Sequence, residues 1–405
     1  MTENEKKLLG RCIKKYRQNN FSQEALAEGI CSKYTLSRLE NDILCKDAIY
    51  HALLEKLGFY YKEDFDIIIV NLIFKDIVSS ILVNDIELII SKLNRLDLIL
   101  SNYNNQIYFT EMKLFLSYLK MHFLDKDKII FNDNDLIPLS AHNPLIRICV
   151  KHVLCENMYL YGDMTRLVEY IIKFQLKEEN HILTDFFIMV YHQYNGLMMN
   201  AHSIFKNYSH IFVEENNYYQ SIRFHLVYSF NFIHKNPEYA ISMSNKVKKL
   251  IEKSNCNCQY FYLYYFNMVV IYSRQNDIKR TYDYAIEAIT KYPKHKVQFL
   301  PYVIILSLLL HHRVKNEHLT LTNNKLCDTC IELYQLSVSE EEPEKKMLVF
   351  INRNLPKAIG KNNISLPIIN LLRKEVIYLV EKSFCYRSAL TFDTLIKKYT
   401  NEKEY

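Results

Sequence analysis

The 405-residue sequence is poor in the residues that turn a chain, with 6 Gly and 8 Pro. A sandwich, barrel or propeller needs many tight turns, so this scarcity excludes them and leaves an all-α fold. Long apolar runs are also missing. Asn267 interrupts the stretch from Tyr260 to Tyr272, and Gln298, Pro301 and Ser307 interrupt the one from Val297 to Leu310, so neither approaches the roughly 18 residues of a membrane span. No P-loop, GxGxxG or HExxH occurs, which removes the usual nucleotide cradles and zincin sites. No enzymatic activity and no cofactor are expected. The opening Met-Thr-Glu-Asn-Glu-Lys-Lys leads to no apolar h-region, and the 10 Cys are scattered, so a cytoplasmic protein with reduced thiols is expected. Cys256-x-Cys258 and Cys327-x-x-Cys330, with His311 and His312 upstream of the second pair, have ligand-like spacing. A closed zinc site needs four convergent ligands, and these are better read as buried helix cysteines, so no metal is expected.

What is present is a globular composition, 49% apolar and 24% charged, with a net charge of +6. That excess permits nucleic-acid binding without deciding it. Two regions differ in character, with a boundary near Gly58 that divides the chain into residues 1–61 and 62–405.

In the first region, Leu8, Leu9, Cys12, Ile13 and Tyr16 recur at helical spacing and mark a helix ending at Asn19-Asn20. Ser22 stands as the N-cap of a short second helix that stops at Gly29, and Ser32 caps a third from Lys33 to Glu40. A fourth runs from about Asp47 to Leu57 and closes against Gly58. Two short helices joined by a Gly-containing turn, the second rich in hydrogen-bond donors, form a helix-turn-helix pattern. In that geometry the third helix lies in the major groove. Lys33, Tyr34 and Thr35 then sit near base edges, Ser37 and Arg38 reach bases or phosphate, and Ser22 and Gln23 offer helix N–H groups to a phosphate. Ser32 adds its hydroxyl as a cap with the same opportunity, and Lys14, Lys15 and Lys46 add charge for the DNA backbone. The residues Ser22-Gln23-Glu24-Ala25-Leu26-Ala27, Gly29-Ile30-Cys31-Ser32 and Leu36-Ser37-Arg38-Leu39-Glu40 resemble the lambda-repressor-like (Xre) domain, and specifically the PlcR-like branch of peptide-sensing regulators. The resemblance implies a structural pair between Arg17 and Glu40. One such domain makes few contacts, so a homodimer on a near-palindromic duplex is expected.

Beyond residue 62, polar breaks at Tyr161-Gly162-Asp163, Asn195-Gly196, Lys235-Asn236-Pro237, Gln275-Asn276-Asp277 and Lys315-Asn316-Glu317 recur at a helix-pair spacing. With Pro293 as the terminal proline, Tyr265, Tyr272 and Ala288 take the positions of a tetratricopeptide repeat, although Val269 and Thr281 replace the small residues of that family. This region resembles a tetratricopeptide-like right-handed helical superhelix, with closing helices between Leu366 and Tyr399 after an acidic loop at Ser337 to Lys346. Residues 65–130 are helical in pattern, with breaks at Asn84-Asp85 and Asn102 to Asn105. The dense block Phe65, Ile67, Ile68, Ile69, Leu72 and Ile73 serves linker packing, dimerisation or the core.

Stacked helix pairs curve into a groove. One repeat frame places His152 and Glu156, then Asp185, His192 and Gln193, then Tyr228, Asn231, His234 and Lys235, then Asn267, Ser273 and Arg274 on that concave surface. Asn231 and Asn267 can both donate to and accept from a peptide backbone, and Lys235 or Arg274 can receive a terminal carboxylate. A reading head followed by such an array resembles the RRNPP-type receptors for short signalling peptides. That resemblance implies a quorum-sensing regulator whose peptide alters how a dimer presents its DNA-binding domains. Two alternatives stay open: a phage or stress repressor whose array docks a protein, and a scaffold that does not bind DNA.

Overall fold

The computed structural model describes residues 1–125, 128–160, 163–233, 236–254, 261–275, 277–309, 312–320 and 331. Its long elements are all helices. Among the described residues the one extended pairing is an isolated bridge between Tyr60 and Gln106, and no helix is long and apolar enough to cross a membrane. Two compact units are formed, the first from Met1 to Asn195 and the second beginning at Gly196.

The first unit opens with α1 (Glu3–Asn20), which starts in a reciprocal cap: Thr2 accepts from the Glu5 N–H, and Glu5 receives the Thr2 N–H. Three short helices follow, α2 (Gln23–Ala27), α3 (Lys33–Glu40) and α4 (Asp47–Lys56). Between α2 and α3 the chain reverses at Gly29, whose φ of 78° is left-handed and suits a residue without Cβ. Next come α5 (Phe65–Val83), α6 (Ile86–Ser101) and α7 (Ile107–Lys120). Their breaks fall where Asn84 turns left-handed, Asp85 caps α6 and Gln106 caps α7. α7 runs into a wider π turn at Met121–Asp125, and two 3-10 turns, Asp133–Leu136 and Pro138–Ala141, lead to α8 (Pro144–Leu160). No glycine or proline marks the π turn, whereas Asn132 to Asp135, Pro138 and Pro144 mark the turns that follow. Asp163 caps α9 (Met164–Lys173), and α10 (Ile182–Tyr194) closes the unit.

The second unit comprises α11 (Met198–Glu214), α12 (Tyr218–Ser229), α13 (Pro237–Ser254), α14 (Tyr262–Arg274), α15 (Ile278–Lys291) and α16 (Lys296–Leu309). Each helix packs on the next in the chain, and α12 also packs on α14. Asn217 and Asp277 cap α12 and α15. Val269 and Thr281, bulkier than the small residues of the repeat pattern, are both buried, and the Thr281 hydroxyl donates back to Asp277 O at 2.7 Å. The two Cys pairs, His311, the acidic loop and the closing helices expected after residue 332 lie outside the described residues.

Candidate nucleic-acid interface

α3 begins where Ser32 accepts the Thr35 N–H at 3.0 Å, and α2 begins where Ser22 accepts the Ala25 N–H at 3.1 Å. Leu36 and Leu39 bury one side of α3, which packs on α1. The close approach depends on Gly10, because a Cβ at that position would stand 2.5 Å from the Leu39 carbonyl oxygen. At the end of α3, buried Glu40 receives the Arg17 Nε and Nη2 groups, the latter at 2.9 Å. This is the pair implied by the family resemblance. Gln23 Nε2 also donates to Glu40, at 2.9 Å, so its amide joins α2 to α3 and is committed inward. A carboxylate has lone pairs to spare after one bidentate guanidinium, and Gln23 uses them.

Two further clamps frame the segment. Arg11 holds Asp42 through Nε at 3.0 Å and Nη2 at 2.6 Å, and this hydrogen-bonded guanidinium keeps the Asp42 carboxyl below its usual range. Lys56 Nζ donates to the carbonyls of Ala25 at 2.7 Å and Glu28 at 2.9 Å, neutralising the negative end of α2.

With its inner side fixed, α3 turns Lys33, Tyr34 and Arg38 to the surface, while Thr35 and Ser37 are half-buried. Tyr34 is 71% exposed, and the Arg38 guanidinium lies 5.6 Å from its ring centroid. Lys33 pairs with Glu24 across the turn, and the bond from Lys33 lowers the Glu24 carboxyl. The Ser32 and Thr35 hydroxyls lie 2.9 Å apart. The edge thus gathers an ammonium, a guanidinium, a phenol and two hydroxyls, groups suited to base edges and phosphates.

Lys15 corrects the sequence reading. Expected to reach a DNA backbone, it is 4% exposed and bonds both oxygens of the fully buried Glu111 on α7, at 2.9 and 3.0 Å. Burial pushes the Glu111 carboxyl above the usual carboxylate range, against the pull of the ammonium. Residues 1–61 are tied to the helices that follow by this pair, by Tyr61 donating to Glu5 at 2.6 Å and by the backbone bonds of Tyr60 with Asn105 and Ile107. Nearby, the His142 imidazole is buried against the Tyr108 and Phe115 rings, with no hydrogen-bond partner at either nitrogen among the described residues. Burial drives its pKa down to about 3. Of these, Gly10 and Glu111 had some sequence signal, since a helix-interior Gly and a carboxylate on an apolar helix each call for a packing reason.

The polar residues expected to line a groove divide between the units. On α8, His152 and Glu156 are buried together, with His152 Nε2 3.2 Å and His122 Nε2 3.1 Å from Glu156 Oε2. On α10, His192 is buried while Asp185 and Gln193 are half-buried. In the second unit Tyr228 is buried, and its hydroxyl lies 2.6 Å from His202 Nδ1. Asn267 is wholly buried, with Nδ2 donating to Leu226 O at 3.1 Å and Ser229 Oγ at 2.6 Å, so it clamps α14 to α12. Asn231 is half-buried. The buried oxygens Asn231 Oδ1 and Asn267 Oδ1 have no donor among the described residues. His234, Lys235 and the side chains of Ser273 and Arg274 lie outside the described residues. Among the described residues no group of His, Cys, Asp and Glu could hold a metal ion.

No family model matches the chain, and no curated protein or solved structure matches it.

Proposed function

We propose that this chain is a cytoplasmic, DNA-binding transcriptional regulator, in which α2, the Gly29 turn and α3 act as a helix-turn-helix. The observation that carries the reading is the two-sidedness of α3. Leu36, Leu39 and Glu40 fasten it to α1, while Lys33, Tyr34 and Arg38 project from the other side. An eight-residue helix so held offers its N-terminal edge to a major groove without moving its support.

In this proposal residues 62–405 form a tetratricopeptide-like array that senses a short signalling peptide. Support comes from Asn231, one of the two asparagines that the sequence singles out for gripping a peptide backbone. It is half-buried and keeps an acceptor oxygen without a donor among the described residues, and such a group calls for a partner, whereas Asn267 is closed into the interior as a clamp. A homodimer then presents two copies of α3, and a peptide favouring one of two dimer geometries changes DNA affinity by the ratio of its affinities for them.

Fluorescence anisotropy with a labelled duplex tests both halves. DNA binding is expected to weaken steeply as salt rises, as phosphate contacts require, and short peptides encoded beside the gene are expected to shift the affinity. Absence of duplex binding at low salt defeats the DNA half. A duplex affinity that no such peptide moves defeats the sensing half.

A further inference from the structure

We infer that the outer face of α5 is the self-association surface of this chain, and that its occupant is the same face of a second copy. α5 is apolar nearly all round. Val70, Ile73, Phe74, Ile77 and Ile81 are buried in the first unit, yet Phe65, Ile68 and Leu72 on the first two turns are 70%, 55% and 57% exposed. A helix that is hydrophobic on every side ordinarily has neighbours on every side. The uncovered residues are also regularly spaced, three and then four apart, which is the seam spacing of paired helices. Outward positions further along, Lys75 and Ser79, are polar and separate this stripe from the exposed Val83 at the helix end.

Charge selects a second copy in antiparallel orientation. Residues 62–66 carry Glu63, Asp64 and Asp66 against the single Lys62, and exposed Lys75 stands at the other end of the stripe, its neighbour Asp76 being paired with Lys92. A two-fold axis near residue 70 sets Ile68 against Leu72 of the other copy and Lys75 beside the other Phe65 ring and acidic end. Each contact then occurs twice, as an isologous interface requires. Phe65, Ile68 and Leu72 together leave on the order of 300 Å² of apolar surface uncovered, comparable to the largest patch of an ordinary monomer, which is often functional. With a polar rim, the same face can form the core of an interface of about 800 Å² per partner. The inference rests on the homodimer of the proposed function and locates its interface in the unit that carries α3.

Sedimentation of the full chain at low micromolar concentration is the test. The wild type is expected to be a dimer, Ile68→Lys/Leu72→Lys a monomer with its melting temperature retained, and Lys75→Glu a dimer weakened about tenfold. Lys75 is exposed, so that third variant decides the matter if the double variant does not fold. A monomeric wild type overturns the inference, whether the face is covered by the chain's own residues or reserved for another protein. A dimer that neither change weakens also overturns it. An unweakened dimer leaves the homodimer of the proposed function standing and a monomeric wild type removes it, while contact of α3 with a duplex is measured separately by the Lys33→Ala and Arg38→Ala variants.

Discussion

The α1–α4 segment and the α12–α14 segment use polar residues in opposite ways. On α3 the polar residues stay outside: Lys33, Tyr34 and Arg38 remain exposed, and inward polarity is confined to Glu40 at the helix end. Along α12 and α14 the polar residues lie inside, where Gln220, Arg223, Ser229 and Asn267 are all fully buried. The difference follows from how many neighbours a helix has. A short helix resting on one support keeps a free face, whereas a helix within a packed series has apolar neighbours on several sides, and its polar groups must find partners there. A polar residue is therefore left accessible in the first setting and becomes an internal clamp in the second.

That contrast can be broken by substitution, and the largest effect on stability is expected where α1 itself turns a charge inward. Lys15→Met leaves Glu111 buried without its ammonium and is expected to cost about 3–5 kcal/mol in chemical denaturation, whereas Lys15→Met/Glu111→Leu should recover most of the loss. A surface lysine at that position would give neither result.

The same interior makes stability depend on pH. The His142 pKa, about 3 in the fold, lies below the unfolded value near 6.5, so protonation favours the unfolded chain. Stability attributable to this group is complete above about pH 6.5 and falls as pH drops toward 3, with a slope approaching about 1.4 kcal/mol per pH unit. His142→Phe should flatten the curve between pH 6 and pH 4, measured as the urea midpoint. An unchanged slope assigns the acid sensitivity elsewhere.

A smaller loss is expected in the second unit. Asn267→Ala removes the donors to Leu226 O and Ser229 Oγ and should lower stability by about 1–3 kcal/mol. Were the residue a surface ligand contact alone, the melting curve would not move. The smallest change in stability belongs to Lys33→Ala and Arg38→Ala, within about 0.5 kcal/mol of wild type. Duplex binding should nevertheless weaken by about 1–3 kcal/mol for each base edge that the truncated side chain no longer reaches.

Local chemistry explains what could be read from the sequence. Ser22, Ser32, Asp85 and Asp277 cap helices by accepting the N–H three residues on, and Gly29 and Asn84 turn left-handed, so each acts within a few residues of itself. The Arg17–Glu40 pair came from the family resemblance and is present. Pairings between distant segments were not legible. The partner of Lys15 lies 96 residues away on α7, and no spacing rule connects the two. Gln23 has the composition of a phosphate contact, but its bond to Glu40 becomes visible only once α2 and α3 are placed together. For α5, an apolar block announces burial and leaves unsaid which half is covered: Ile73 is buried while Phe65 and Leu72 are exposed. The π turn after α7 has no proline or glycine to announce it.

Selection of duplexes from a random pool by the wild-type chain and by Lys33→Ala/Arg38→Ala tests the central claim most directly. The wild type is expected to enrich a near-palindromic sequence with half-sites about one helical turn apart, and the variant to lose that enrichment while melting as the wild type does. Enrichment of no sequence by the wild type, or of the same sequence by both proteins, would contradict the assignment of α3 as the reading helix.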